Sequence, residues 1–230
     1  MNTCCQYFKS SIGKKQVVAI TGLALILFLV GHLAGNLFIY IGPEAFNKYA
    51  KKLADLRPGL LVVEAGLAVI FCIHMWFTAL LVMDNRNARP VKYLAKNYSE
   101  KSSLATRLMP FTGTLILAFV IWHLLDFTFS DHHGPLSMIH GKDFGLYGVL
   151  FNSFGNPIHS LLYIIAMIAI GLHLSHAIQS IMQTFGCDKF GAGRIQKVSN
   201  ILGIFIGGAF ASIPIFIFYL NKVGMCCLLK

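Results

Sequence analysis

Five apolar stretches, at about 16–41, 60–83, 108–130, 158–186 and 198–221, are each long enough to carry a helix across a hydrocarbon layer. Such a layer is ~30 Å thick and takes about 20 helical residues to cross. No alternating strand pattern runs through them, and a spanning segment must satisfy its own backbone groups, so the expected form is the α-helix. Only 12% of the residues are charged and 56% are hydrophobic, where a soluble domain is about a quarter charged. The fold expected is an all-α membrane protein with five transmembrane helices, in one integral membrane domain over 1–230. No internal repeat is strong enough to subdivide it.

The first apolar run, Gln16–Ile41, is too long for the apolar core of a signal peptide and ends without a small-x-small cleavage pattern, so it reads as a retained span. The net charge of +10 comes without a basic-aromatic groove motif, which argues against a nucleic-acid partner. Positive residues flanking membrane segments account for it. With the N-terminus inside, inner segments hold twelve lysines and arginines and outer segments seven. The bias therefore places the N-terminus in the cytoplasm and the C-terminus outside.

The connections differ in kind. Residues 42–59 read as a short amphipathic helix on the outer surface, closed by Pro58-Gly59. Residues 84–107 are basic and polar and form the expected inner docking surface. Residues 131–157, rich in Gly and His, are expected to fold over the bundle as an outer cap. Arg57-Pro58-Gly59 and Asn156-Pro157 mark the starts of the second and fourth spans. The fifth span has Gly203, Gly207 and Gly208, which suit close helix packing, and Pro214, expected to kink it. The six cysteines form no CxxC, CxxCH or zinc spacing, which excludes covalent haem attachment.

Each of the first four spans carries a histidine inside its apolar run: His32, His74, His123, and His173 with His176 three residues on. An imidazole in hydrocarbon is costly unless something binds it. At ~1.5 Å per residue, His32 and His123 lie roughly 10–14 Å from the outer ends of their spans. His74 lies nearer the inner side, as do His173 and His176. The histidines thus sort by depth into an outer pair, His32 with His123, and an inner pair, His74 with His173 or His176. Paired neutral imidazoles facing each other across a bundle suit the two axial positions of a planar iron macrocycle. Two b haems stacked in the bilayer would form an electron relay, with four of the five helices making the haem-binding bundle. Gly31, Gly35, Gly113 and Gly171 would let a bulky ring approach. His132, His133, His140 and His159 read as surface residues of the outer loop.

Four stretches carry a resemblance: GHLAGNLFIYIGPEAFN around His32, IFCIHMWF around His74, TRLMPFTGTLILAFVIWHLLD around His123 and LHLSHAIQSIMQTFG around His173. In order, spacing and topology they resemble the five-helix, single-anchor di-haem cytochrome b subunit of succinate:quinone oxidoreductases and quinol:fumarate reductases. The resemblance runs from about Ser11 to Phe218. It implies that His32 and His123 ligate a distal haem and His74 and His173 a proximal one, His173 being favoured over His176 by its distance from Gly186. It further implies a flavoprotein subunit and an iron–sulfur subunit docked on the inner face of a bacterial cytoplasmic membrane, and a quinone, menaquinone being usual, as electron partner. Dicarboxylate chemistry would then belong to the partner's flavin.

Quinone chemistry moves protons and needs an ionisable group near a haem and water. The candidates are Asp126, Asp55 and Glu64, with Glu44 at the end of the first span. Ser10, Ser11, Lys14, Lys15 and Arg107 stand at the inner boundary, where haem propionates need partners, and Ser11 and Arg107 are carried forward. The glutamate that some quinol:fumarate reductases have two residues before the fourth ligand is replaced here by Gly171, so the compensating proton path it serves is not expected. Two other readings remain: a cytochrome b subunit of a hydrogenase or formate dehydrogenase, and a haem-free proton- or metal-coupled transporter. A transporter should show inverted repeats or broken helices.

Overall fold

The structure is a computed structural model that describes residues 3–88, 104–187 and 191–224, with side chains from 6–88, 108–187 and 191–224. Among the described residues, five helical segments are long and apolar enough to cross a membrane: Ser11–Tyr40, Gly59–Asn87, Leu108–Thr128, Pro157–Thr184 and Ala192–Lys222. They coincide with the five expected spans to within a few residues, and the chain is a multi-pass helical membrane protein by length and composition.

In chain order the elements are α1 (Thr3–Lys9), α2 (Ser11–Asn36), α3 (Pro43–Ala54), α4 (Gly59–Asn87), α5 (Leu104–His123), a two-stranded hairpin of β1 (Met138–Ile139) and β2 (Lys142–Asp143), α6 (Gly145–Gly155), α7 (Pro157–Thr184) and α8 (Ala192–Lys222). Their ends follow from local chemistry. Ser10 caps α2 by accepting from the Gly13 amide at 3.0 Å. Asn156 caps α7 by accepting from the Ile158 and His159 amides, with Pro157 at the first helical position, where it has no amide proton to leave unpaired. In α3, Pro43 and Glu44 open the helix and Lys51 and Lys52 close it, each charge set against the opposing end of the helix dipole.

The spans pack as two halves. Helix α4 packs mainly on α2 and α5 on α7, the halves join through α2 against α7, and α8 lies along α7 in the most extensive pairing of all. The close approach of α7 and α8 depends on glycine. A Cβ on Gly171 would meet the Gly203 carbonyl at 3.0 Å, and one on Gly207 would meet the Gly171 Cα and the Met167 carbonyl, both at 2.9 Å. The fifth span therefore packs through Gly203 and Gly207, as its spacing suggested, while Gly208 faces open space. It is more than a peripheral strut, since Ile206, Phe210, Ile213 and Ile217 belong to the buried core. Helix α8 runs unbroken through Pro214.

One end of the bundle is capped by α3, the hairpin and α6. Asn47 of α3 donates to the Phe144 carbonyl at 2.7 Å and accepts from the Tyr147 amide at 3.1 Å. The cap has its own apolar helix, α6, whose Tyr147, Val149, Leu150, Phe151 and Phe154 are buried; where water surrounds the cap, each contributes about 1.5–3 kcal/mol. Helix α3, the short amphipathic helix expected at 42–59, sets its buried Phe46 ring 6.4 Å from that of Tyr147. Most of the basic 84–107 connection falls outside the described residues, as does the Arg107 side chain.

Candidate functional site

Near the capped end, His32 of α2 and His123, the last residue of α5, meet between the two halves. Their ring centroids are 5.8 Å apart with planes at 87°. Each is stacked on a phenylalanine one turn earlier, Phe28 on His32 at 5.4 Å and Phe119 on His123 at 5.6 Å. Phe210 of α8 lies 5.9 Å from His32, and Phe127 and Tyr163 lie 5.5 and 6.2 Å from His123. Two imidazoles sharing one metal atom at about 2 Å per bond have centroids on the order of 6 Å apart. An ordinary edge-to-face pair has a similar spacing. His123 Nδ1 is buried and finds no hydrogen-bond partner in the protein, which at about 1–3 kcal/mol demands an explanation.

About three turns further along both halves sits the second set. His74 Nδ1 lies 3.0 Å from Thr21 Oγ1 of α2, and His173 Nδ1 lies 3.1 Å from Thr112 Oγ1 of α5. The next residue in each case is glycine. A Cβ on Gly22 would stand 3.3 Å from His74 Cε1, and one on Gly113 would stand 3.6 Å from His173 Cε1. His74, on α4, and His173, on α7, belong to opposite halves. The Thr112–Gly113 seat belongs to His173. Among the described residues no three or more His, Cys, Asp or Glu side chains converge. The histidines come in twos, a donor set suited to an axial pair and too sparse for a closed zinc site.

Of the three carboxylates, only Asp126 joins this arrangement. Helix α5 passes at Leu124 into a wider turn with π-type hydrogen bonding through Thr128, a local form often found at functional sites. It carries Asp126 toward α7, where the Tyr163 hydroxyl donates to Asp126 Oδ2 at 2.6 Å. His159 Nε2 stands 3.2 Å from the same oxygen, at an angle too poor for a hydrogen bond. Trp122 closes over His159 at 5.0 Å and over Tyr163 at 5.1 Å. His159 was expected at the surface; its side chain is 19% exposed and enclosed by rings. Its position three residues into α7 explains the error, since chain position near a helix end does not say which way a side chain faces.

The remaining candidates lie elsewhere. Asp55 pairs with Lys51 at 3.2 Å and Glu64 with Arg57 at 3.4 Å, both in exposed ion pairs. Ser11 is exposed at the start of α2. Lys14, by contrast, is engaged by Asp84 at 2.6 Å and ties α2 to α4. Of the glycines expected near a ring, Gly113 is against His173, but Gly35 faces Tyr49, Gly171 faces α8 and Gly31 faces open space. Gly22 was missed, as were Thr21 and Thr112.

A signal for them was present. Residues 21–32, TGLALILFLVGH, and 112–123, TGTLILAFVIWH, share Thr, Gly, Phe and His at the same offsets. The expectation of no usable internal repeat is corrected by the matched roles of those four residues in the two halves. Repeated over one helix each, they are diluted by apolar residues that any span would hold.

No protein family, no curated protein and no solved structure matches the chain. Fold and site together define a polytopic helical membrane protein with paired histidines at two levels of its bundle.

Proposed function

We propose that this chain is the membrane-anchor cytochrome b subunit of a succinate dehydrogenase or fumarate reductase complex. The observation that carries the reading is the arrangement of the histidines: His32 with His123 and His74 with His173, each pair drawn from opposite halves of the bundle. The eleven residues from Thr21 to His32, and equally from Thr112 to His123, set the two levels about 16 Å apart along the helices. Two bis-imidazole b haems would supply one-electron transfer between those levels. The chain's own residues fit the role. His123 Nδ1 brings a buried polar demand that the protein does not meet, and Phe28, Phe119 and Phe210 surround the outer pair with apolar rings.

At the outer level, the Asp126–Tyr163–His159 group offers a carboxylate and a hydroxyl beside His123. These are the groups that a quinone exchanging protons and electrons requires. On this reading the inner level faces an iron–sulfur partner, itself docked to a flavoprotein, across the basic 84–107 surface at the cytoplasmic membrane. Quinone, menaquinone in this class, is met at the other level. No contact described favours a hydrogenase- or formate-type subunit or a transporter over this reading.

The test is a reduced-minus-oxidised spectrum with haem quantitation on the purified full chain. About two b haems per chain are expected. A colourless preparation in which the histidines hold no haem rejects the proposal.

A further inference from the structure

The two Thr-Gly seats of the inner level do more than fill space. A hydroxyl has one proton to donate. Thr21 Oγ1 lies 2.7 Å from the Val17 carbonyl and 3.2 Å from the Val18 carbonyl of its own helix. Thr112 Oγ1 lies 3.1 and 3.2 Å from the Leu108 and Met109 carbonyls. Carbonyls only accept, so a threonine proton given to its own helix leaves the oxygen presenting lone pairs toward the facing imidazole. A neutral imidazole has one N–H and one bare nitrogen. In that arrangement His74 Nδ1 and His173 Nδ1 are the N–H side, which leaves Nε2 bare on both rings.

We infer that Thr21 and Thr112 are equivalent positioning residues: each holds its histidine, His74 or His173, in the Nδ1–H tautomer with Nε2 free to bind a metal. A metal-bound histidine gains basicity and fixed orientation from such a partner on its other nitrogen. Gly22 and Gly113 complete the device. Their missing side chains leave room beside Cε1, the ring atom between the two nitrogens, which a Cβ would approach to 3.3 Å at His74 and 3.6 Å at His173. At the outer level His123 Nδ1 has no such partner among the described residues, so the protein does not fix which nitrogen of that ring is left for a metal. The two levels are thereby made chemically unequal within one repeated framework, each outward helix giving a hydroxyl to the inner level and an imidazole to the outer.

This inference rests on the haem reading for its electrochemical consequence, though not for the tautomer itself. Removing an acceptor from Nδ1–H makes a ligand less electron-donating and destabilises the ferric state. Thr21→Val and Thr112→Val should therefore each raise the midpoint potential of the same one of two haems and leave the other where it was. Thr21→Ser and Thr112→Ser, which keep the hydroxyl, should restore the original value. Because the two valine variants act from opposite sides on one pair, either alone reads the effect if the other fails to accumulate. Unchanged potentials in a fully loaded valine variant overturn the inference, as does a shift of different haems by the two variants. If the purified chain carries no haem, the functional proposal falls and the tautomer is read directly. Nitrogen shifts of selectively 15N-labelled histidine, assigned by His74→Gln and His173→Gln, should then show a protonated Nδ1 and a bare Nε2. A protonated Nε2 on either ring overturns it.

Discussion

The Tyr163 hydroxyl of α7 donates a 2.6 Å hydrogen bond to Asp126 Oδ2 in the π-type turn that follows α5. The bond ties the two helices together beside His123, whose ring lies 6.2 Å from that of Tyr163. Its acceptor is a carboxylate of which 19% of the side chain is exposed, so a lost donor is only partly replaced by water. Tyr163→Phe should cost on the order of 1–2 kcal/mol, seen as an earlier thermal unfolding midpoint in detergent.

On the proposed reading, the same cluster sets Asp126 apart from the other two carboxylates. Asp126→Asn should lower quinone turnover about tenfold or more, in line with the loss of a proton-transferring group, while haem content is retained. Asp55→Asn and Glu64→Gln remove only exposed ion-pair partners, each worth less than about 1 kcal/mol, and should leave turnover unchanged. Steady-state quinone reduction by the assembled complex is the measurement. Equal loss in all three variants would sink the assignment of Asp126.

Pairing of the histidines predicts which losses go together. His32→Ala and His123→Ala should remove one haem, and His74→Ala and His173→Ala the other, read as the residual spectrum of each purified variant. His176→Ala should keep both, because only His173 sits on Thr112 and Gly113.

The glycine contact between α7 and α8 sets a contrast on a single helix. Gly203→Ala forces a methyl against the Gly171 carbonyl and the Ser175 amide, with Gly203 itself buried, and should cost on the order of 1–3 kcal/mol. Gly208→Ala meets nothing within 4 Å and should be neutral or stabilising by up to about 1 kcal/mol through helix propensity. Thermal unfolding of the two variants checks the sign of each.

A pH effect is expected in the cap hairpin, outside the spans. His133 Nδ1 lies 2.7 Å from Asp143 Oδ2. That hydrogen bond and the Asp143 charge hold the imidazole above its ordinary 6.5. Hydrogen bonds from Ser137, then His133, then the Gly145 amide pull Asp143 from 3.8 down to about 2. A raised histidine contributes most below 6.5 and loses that contribution as pH rises through its folded value. A lowered aspartate contributes above 3.8 and loses it as pH falls toward about 2. The hairpin should therefore be tightest between those two ordinary values and loosen on both sides. Hydrogen exchange at the Phe144 amide, which bonds to the Ser137 carbonyl at 3.0 Å, follows it, and His133→Gln should abolish the loosening at neutral pH.

Much of this protein was settled by the chain itself. A run such as 59–87 must be a helix in hydrocarbon, because no water is there to satisfy an open backbone, so length and apolarity alone located the spans. Depth along a helix is a matter of counting residues, which was enough to set His32 level with His123. Counting residues says nothing of what lies across a helix face. Tertiary packing alone decided that Thr21 and Thr112 meet the inner imidazoles and that Phe210 of the fifth span reaches His32. It also turned His159 inward onto Asp126 and Tyr163. The short α6 was equally illegible, because its apolar residues are explained only by the α3 and α8 surfaces they bury. Rise per residue is a property of one helix; hydrogen bonds and ring contacts between helices depend on rotations that only the packed bundle sets.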